Sequence, residues 1–264
     1  MTKAPVTALA RPFASDSALV RRVVPALNAE PRKGGLTARL LILHYTGMSS
    51  AERAIQYLAC AESQVSCHYV IDEAGAFTQL VPEALRAWHA GVSAWAGECD
   101  VNSSSIGIEI QNPGHEHGYP EFPAAQMEAV AALSRDIVAR NRIRPRDVLA
   151  HSDVAPERKI DPGEKFEWRF LHKAGVGHWV EPAALDPSEP GLERGACGAL
   201  VREAQAGLAR YGYGVPVTGE LDAATCCALR AFQLHFRPAR TDGRLDRSTL
   251  DTLARLWAAL PPGG

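Results

Sequence analysis

The sequence predicts an α/β domain followed by a small all-helical one. Three observations predict this. Short apolar runs of strand length alternate with segments of helical period through roughly the first two thirds of the chain. A Pro-rich acidic stretch then breaks the pattern, with Glu181-Pro182, Asp186-Pro187 and Glu189-Pro190-Gly191. Beyond it only helical periodicity remains. A length of 264 residues suits two domains better than one.

Taken in order, residues 1–37 read as an irregular arm on the first domain, because Pro5, Pro12, Pro25, Pro31 and the pair Gly34-Gly35 interrupt any period. The continuous apolar run Leu40 to Tyr45 suits a strand buried on both faces. Ser49 and Ser50 are N-cap residues for a helix reaching about Cys60, with Glu52 in its first turn. His68 to Asp72 and Ala76 to Val81 form a hairpin about Glu73-Ala74-Gly75. In Ser105 to Ile110, Ile106, Ile108 and Ile110 share one face, while Gly107 and Glu109 share the other. Met127, Val130, Leu133, Ile137 and Val138 recur at helical spacing in Ala124 to Asn141, and Asp147 to His151 reads as another strand. The expected boundaries are an arm at 1–37, a first domain at 38–180, a linker at 181–194 and a helical domain at 195–260. The last has helices near 196–211, 222–236 and 246–259. Leu221-Asp222 with Thr225, and Leu245-Asp246 with Thr249, form a short internal echo.

Composition excludes several functions. Lys plus Arg total 28 against 30 Asp plus Glu, a net charge of −2, so no field exists to grip a phosphate backbone and nucleic acid is not an expected partner. No run of 18 apolar residues occurs, so no transmembrane segment is expected. Met1 to Arg11 has no apolar core of a secretory signal. The six cysteines show no C-x-x-C spacing, and Cys226 and Cys227 are adjacent; they read as reduced, small side chains rather than a disulfide framework.

His44, His151 and Asp161 lie at strand ends or in a following loop. Two imidazoles and a carboxylate are a donor set for Zn²⁺ with an open fourth position, although spacing alone does not single out this triple among nine histidines. Glu109 points away from the isoleucines of its strand, toward either a cleft or solvent. The triplet His115-Glu116-His117 sits in an Asn-Pro-Gly loop, where it is a solvated loop, a groove wall or a weak metal motif.

Five blocks occur in order: Leu43-His44-Tyr45-Thr46; Ser66-Cys67-His68-Tyr69-Val70-Ile71-Asp72; Ala87-Trp88-His89-Ala90-Gly91; Ser105-Ile106-Gly107-Ile108-Glu109; and His151-Ser152-Asp153 running on to Arg158-Lys159-Ile160-Asp161-Pro162-Gly163. Over about residues 38–175 this succession resembles the type 2 N-acetylmuramoyl-L-alanine amidases, which share a fold with peptidoglycan-recognition proteins. The tail, with Tyr211-Gly212-Tyr213, Ala231-Phe232-Gln233 and the Asp/Thr echo, resembles the three-helix peptidoglycan-binding domain. The resemblance implies a mixed central sheet flanked by helices and one Zn²⁺ per chain held by His44, His151 and Asp161. It implies Glu109 as acid/base and Lys159 as stabiliser of the oxyanion. It implies a substrate groove drawing on His68, Trp88, His89 and Arg158, with His68 and Trp88 equally able to serve the core.

The implied reaction is hydrolysis of the amide between the lactyl group of N-acetylmuramic acid and L-alanine in peptidoglycan or its fragments, in cell-wall turnover or recycling. The alternative is a muropeptide-binding protein of the same fold without activity; a zinc peptidase carrying the same tail ranks below both. A sacculus-binding tail points to the cell envelope or periplasm, while the missing leader points to the cytoplasm. The tail, carrying none of the catalytic residues, is expected to be dispensable for cleaving small soluble muropeptides.

Overall fold

The computed structural model describes residues 12–260. Eight strands and eight α-helices occur in it: β1 (Arg22–Val23), β2 (Ala29–Pro31), β3 (Leu40–Tyr45), α1 (Ala51–Ala59), β4 (Tyr69–Ile71), β5 (Phe77–Gln79), β6 (Leu85–Ala87), α2 (Val101–Ser104), β7 (Ser105–Ile110), α3 (Ala124–Asn141), β8 (Val148–Ala150), α4 (His151–Val154), α5 (Trp168–Lys173), α6 (Ala199–Tyr211), α7 (Ala223–Phe236) and α8 (Arg247–Ala258). A six-stranded sheet has the order β1-β5-β4-β7-β3-β8, and β2 pairs with β6 beside it. The sheet is mixed: β4, β7, β3 and β8 run parallel, and β5 is antiparallel to β4.

The arm is less irregular than its prolines predict, because β1 joins β5 and β2 joins β6. Residues 1–11 of that expected arm lie outside the described residues. The strand expected over 147–151 stops at Ala150, and His151 opens α4 instead. Ser50 caps α1 by accepting from the Arg53 amide, and Ala51, Ala54, Ile55 and Leu58 form its buried stripe.

Strand alternation divides the sheet between two cores. Leu41, Leu43, Ile106, Ile108 and Ile110 face α3 and pack on Met127, Val130, Leu133 and Ile137. On the opposite face α1 covers Val70. The neighbouring part of that face, with Leu40, Ile42 and Leu149, is covered by the C-terminal helices through Leu208, Tyr211, Leu229, Phe232 and Phe236. The tail is therefore the second helical layer of the sheet rather than a tethered module. Trp95 of the first domain lies edge-on to Tyr211 and Tyr213, with ring centroids 6.1 and 5.1 Å away. Gly212, at φ 139°, sits where a Cβ would come within 2.5 Å of the Trp95 ring.

The stretch expected as a linker has no regular structure, but it is pinned along α8. Leu192 exchanges backbone bonds with Leu245, and the Ala183 amide donates to Thr252. The internal echo is a repeated helix cap. Asp222 and Asp246 accept from the amides of Thr225 and Thr249. Each cap is held by a buried glutamine of the preceding helix: Gln205 accepts from the Gly219 amide and donates to Thr225, and Gln233 does the same with Gly243 and Thr249.

Candidate active site

The parallel register sets His44, near the C-terminal end of β3, opposite Glu109 of β7. His151 follows the end of β8 directly. Three neighbouring parallel strands thus deliver chemistry to one edge of the sheet, the usual ligand edge of such sheets. The loop after α4 returns Asp161 to this edge, where the Ser152 amide donates to its carbonyl. Tyr119 anchors the rest of that loop by donating to the Pro162 carbonyl at 2.7 Å.

His44 Nδ1 and His151 Nδ1 lie 2.9 Å apart, and Asp161 Oδ2 lies 3.3 and 3.1 Å from them. The protonation of these groups follows from what stands behind them. Ser105 donates its hydroxyl proton to the Val101 carbonyl, so His89 Nε2 must donate to Ser105 Oγ. His89 Nδ1 is then an acceptor, and it takes the Nε2 proton of His44 at 3.0 Å. His151 Nε2 donates to the Ala90 carbonyl at 3.2 Å. Burial disfavours charge on His44 and His89. It lowers the His44 pKa to about 4, aided by the adjacent His151, and lowers His89 well below its ordinary value, aided by His44.

His44 Nδ1 therefore presents a lone pair toward His151 Nδ1 and the Asp161 carboxylate. Burial opposes ionisation of Asp161, but the adjacent His151, 3.1 Å away, outweighs it and holds the carboxyl well below the usual range. Two imidazole nitrogens and a carboxylate oxygen converge on one point, the donor set of a divalent cation. Ligands about 2 Å from a tetrahedral zinc lie about 3.3 Å apart, close to the spacing seen, so the residues fit the metal.

Glu109 Oε2 is buried and has no hydrogen-bond partner among the described residues. Burial, then the charge of Asp161, push its pKa well above the carboxylate range, while Lys159 pulls the other way. Glu109, Lys159, Arg158, Trp88 and His89 line one cleft of about 580 Å³ together with the metal-type triad. One wall is apolar, formed by Met48, Ala54, Tyr57, Leu58 and Val65.

The placement of the other expected groove residues is uneven. Trp88 reaches the cleft. Arg158 does too, with its guanidinium donating to the Val92 carbonyl at 2.9 Å and to the Ala90 carbonyl. His89 borders the cleft, but its ring is spent on His44 and Ser105; it packs so closely over Gly107 that a Cβ there would sit 2.6 Å from the ring. His68 is not brought to the cleft. It is fully buried between strands, accepting from the Gly107 amide at 3.0 Å and donating to the Leu85 carbonyl at 3.1 Å. Of the triplet, His115 lines the cleft wall, bonded to Tyr45 and Glu164 and stacked on Tyr119 at 4.0 Å; it takes no part in the metal-type cluster, which among the described residues is His44, His151 and Asp161.

Sequence reasoning missed the loop behind the site. Asn102 accepts from the amides of His89 and Ala90 and so holds the segment that orients His44 and His151. It also missed Asp153, Tyr213 and His235, which meet in the interior. Nothing local marks their pairing, since the partners lie 60 and 82 residues apart in the chain.

Residues 34–164 match the N-acetylmuramoyl-L-alanine amidase family Amidase_2, and residues 197–253 match the peptidoglycan binding domain family PG_binding_1. The chain is 35% identical over 231 residues to the N-acetylmuramoyl-L-alanine amidase AmiD of Escherichia coli, covering 80% of this chain and 79% of AmiD. It is 34% identical over 128 residues to the 1,6-anhydro-N-acetylmuramyl-L-alanine amidase AmpD of Enterobacter cloacae, 48% of this chain and 66% of that one. The structure of E. coli AmiD in complex with the substrate anhydro-N-acetylmuramic acid-L-Ala-D-γ-Glu-L-Lys superposes with a TM-score of 0.72 at 32% identity, covering 87% of this chain and 92% of AmiD. AmpDh3 of Pseudomonas aeruginosa gives 0.71 at 32% identity, with 85% and 92% covered. The chain belongs to the AmpD/AmiD-like type 2 amidase family and carries a C-terminal peptidoglycan-binding domain.

Proposed function

We propose that the protein is a zinc-dependent hydrolase of the amide bond between the lactyl group of N-acetylmuramic acid and L-alanine. The observation that carries this reading is the convergence of three donor atoms, His44 Nδ1, His151 Nδ1 and Asp161 Oδ2, in one cleft with Glu109, whose Oε2 finds no partner among the described residues. The activity for which the family is named and the substrate in the E. coli AmiD complex support the choice of bond.

Zinc held by these residues supplies Lewis acidity, which acidifies water and polarises a carbonyl. The chain's own groups do the rest. Glu109 Oε2 takes the proton of the attacking water and delivers it to the departing amine of L-alanine. A carboxyl raised above its ordinary range suits that exchange near neutral pH. Lys159 offsets the negative charge growing on the scissile oxygen. Trp88 and Arg158 border the bound muropeptide, and the apolar wall about Tyr57 excludes water from its far side.

The C-terminal domain matches a peptidoglycan binder, which fits work on the polymer or its fragments in cell-wall turnover and a place in the cell envelope; fractionation of the native protein against marker enzymes tests the location. Among the described residues, no helix is long and apolar enough to cross a membrane. The activity is tested by mass spectrometry of digested sacculi and of a soluble anhydromuropeptide. Release of intact stem peptides beginning with L-alanine, abolished by a chelator and restored by Zn²⁺, is the expected result. Binding without any cleavage would mark a muropeptide-binding protein instead, and cleavage within the stem would mark a peptidase.

A further inference from the structure

Asp153 is completely buried, two residues beyond His151 on α4. Its Oδ2 accepts from the Ala150 amide at 2.8 Å, closing the turn from which His151 emerges. Both remaining contacts come from the peptidoglycan-binding domain. His235 Nδ1 donates to Oδ2 at 2.6 Å, and the Tyr213 hydroxyl donates to Oδ1 at 2.6 Å. The His235 ring is itself clamped between Trp168 at 3.6 Å and Phe236 at 3.8 Å, so its donor direction is fixed.

Apolar packing already joins the two domains around Trp95 and Phe232. A buried carboxylate adds little to such adhesion, because its desolvation cancels most of what its partners return. What it adds is direction: three donors from three elements hold one carboxylate, and that carboxylate holds the backbone immediately before a metal ligand. We infer that His235 and Tyr213 are positioning residues for the metal centre, acting through Asp153, so that the domain known for binding polymer also sets the geometry of His151.

This inference rests on the metal reading above, and the experiment separates the two. In the full-length protein, the zinc dissociation constant is measured by chelator competition, and the ligand field is read from the visible spectrum of the Co²⁺ form. His235→Phe keeps the stacked ring and removes the donor. It is expected to weaken zinc about tenfold, the lower end of the effect of groups behind metal ligands, and to alter the Co²⁺ spectrum. His235→Asn returns an N–H near the Nδ1 position and is expected to recover most of both. Tyr213→Phe removes one oxygen from the same carboxylate and carries the test if His235→Phe does not fold; a smaller shift in the same direction is expected. If these variants melt at lower temperature while zinc affinity and the Co²⁺ spectrum match the parent protein, the residues only join the domains and the inference is overturned. If the parent protein itself binds no zinc, the metal reading fails and the inference falls with it.

Discussion

His44 and Glu109 stand opposite each other across neighbouring parallel strands, one turned to the histidine–aspartate trio and the other carrying the unpartnered carboxyl beside it. Because the register is set by the β3–β7 ladder, and by the isoleucines and leucines packed beneath it, the proposed metal ligand and the proposed base keep a fixed separation without any loop having to order. Glu109→Gln preserves this geometry and removes the proton acceptor. Single-turnover rates are expected to fall about a hundredfold or more. Zinc per chain should not change, and zinc loss in this variant would contradict the assignment of Glu109 as a base.

Lys159 and His151 should part company when mutated. Lys159→Met removes a cation from the cleft, so metal content should hold while the chemical step slows by about a hundredfold, the scale of one lost donor to a developing oxyanion. His151→Ala removes a donor of the triad, so zinc and rate should fall together. Elemental analysis alongside stopped-flow rates distinguishes the two patterns.

His89 is expected to act through His44 rather than on substrate. His89→Leu leaves the buried His44 Nε2–H without an acceptor and frees the ring to turn. Zinc affinity should drop about 10- to 100-fold. His89→Asn places an oxygen near the former Nδ1 and should recover part of the loss. A change in KM alone, with zinc affinity intact, would return His89 to the substrate groove.

Truncation after about residue 190 should cost far more than polymer binding. It uncovers Leu40, Ile42, Leu149, Val154 and Trp95, all now buried. At about 2 kcal/mol each, their exposure costs about 10 kcal/mol, comparable with the whole stability of an ordinary domain. The truncated chain should therefore be insoluble or inactive on small muropeptides as well. Full activity on a soluble fragment would show that the sheet tolerates losing this layer.

Acid should destabilise the metal-free protein through its buried, neutral histidines. Burial, then Arg32, lowers the pKa of His68 to about 3; burial, then His172, lowers that of His178 to about 4. Unfolded imidazoles titrate near 6.5, so between about 6.5 and about 4 the unfolded chain binds more protons. Stability contributed by these neutral rings is present above 6.5 and is lost as pH falls through that window. Urea midpoints measured from pH 7.5 to 4.5 should decline, and the decline should be smaller in His178→Gln.

The sequence by itself determined the strands β3 and β7, the helices α1 and α3 and the three C-terminal helices, because their apolar spacing is local and strong. It also marked His44, Glu109, His151, Lys159 and Asp161, since their blocks occur in order and match the family. Tertiary structure alone decided the rest. The mixed strand order places β3 between β7 and β8, so three distant residues share an edge. His68 looked like a groove residue because the family resemblance maps it onto the groove, yet pairing with Gly107 and Leu85 takes its ring into the sheet. The tail looked separable because a Pro-rich stretch precedes it. It is the second layer because Leu40, Ile42 and Leu149 must be covered by something, and no local pattern names the partner. Nor does a local pattern join Asp153 to His235, 82 residues away in the chain. Burial of a carboxylate selects its donors by position in space, and that position exists only once both cores have formed.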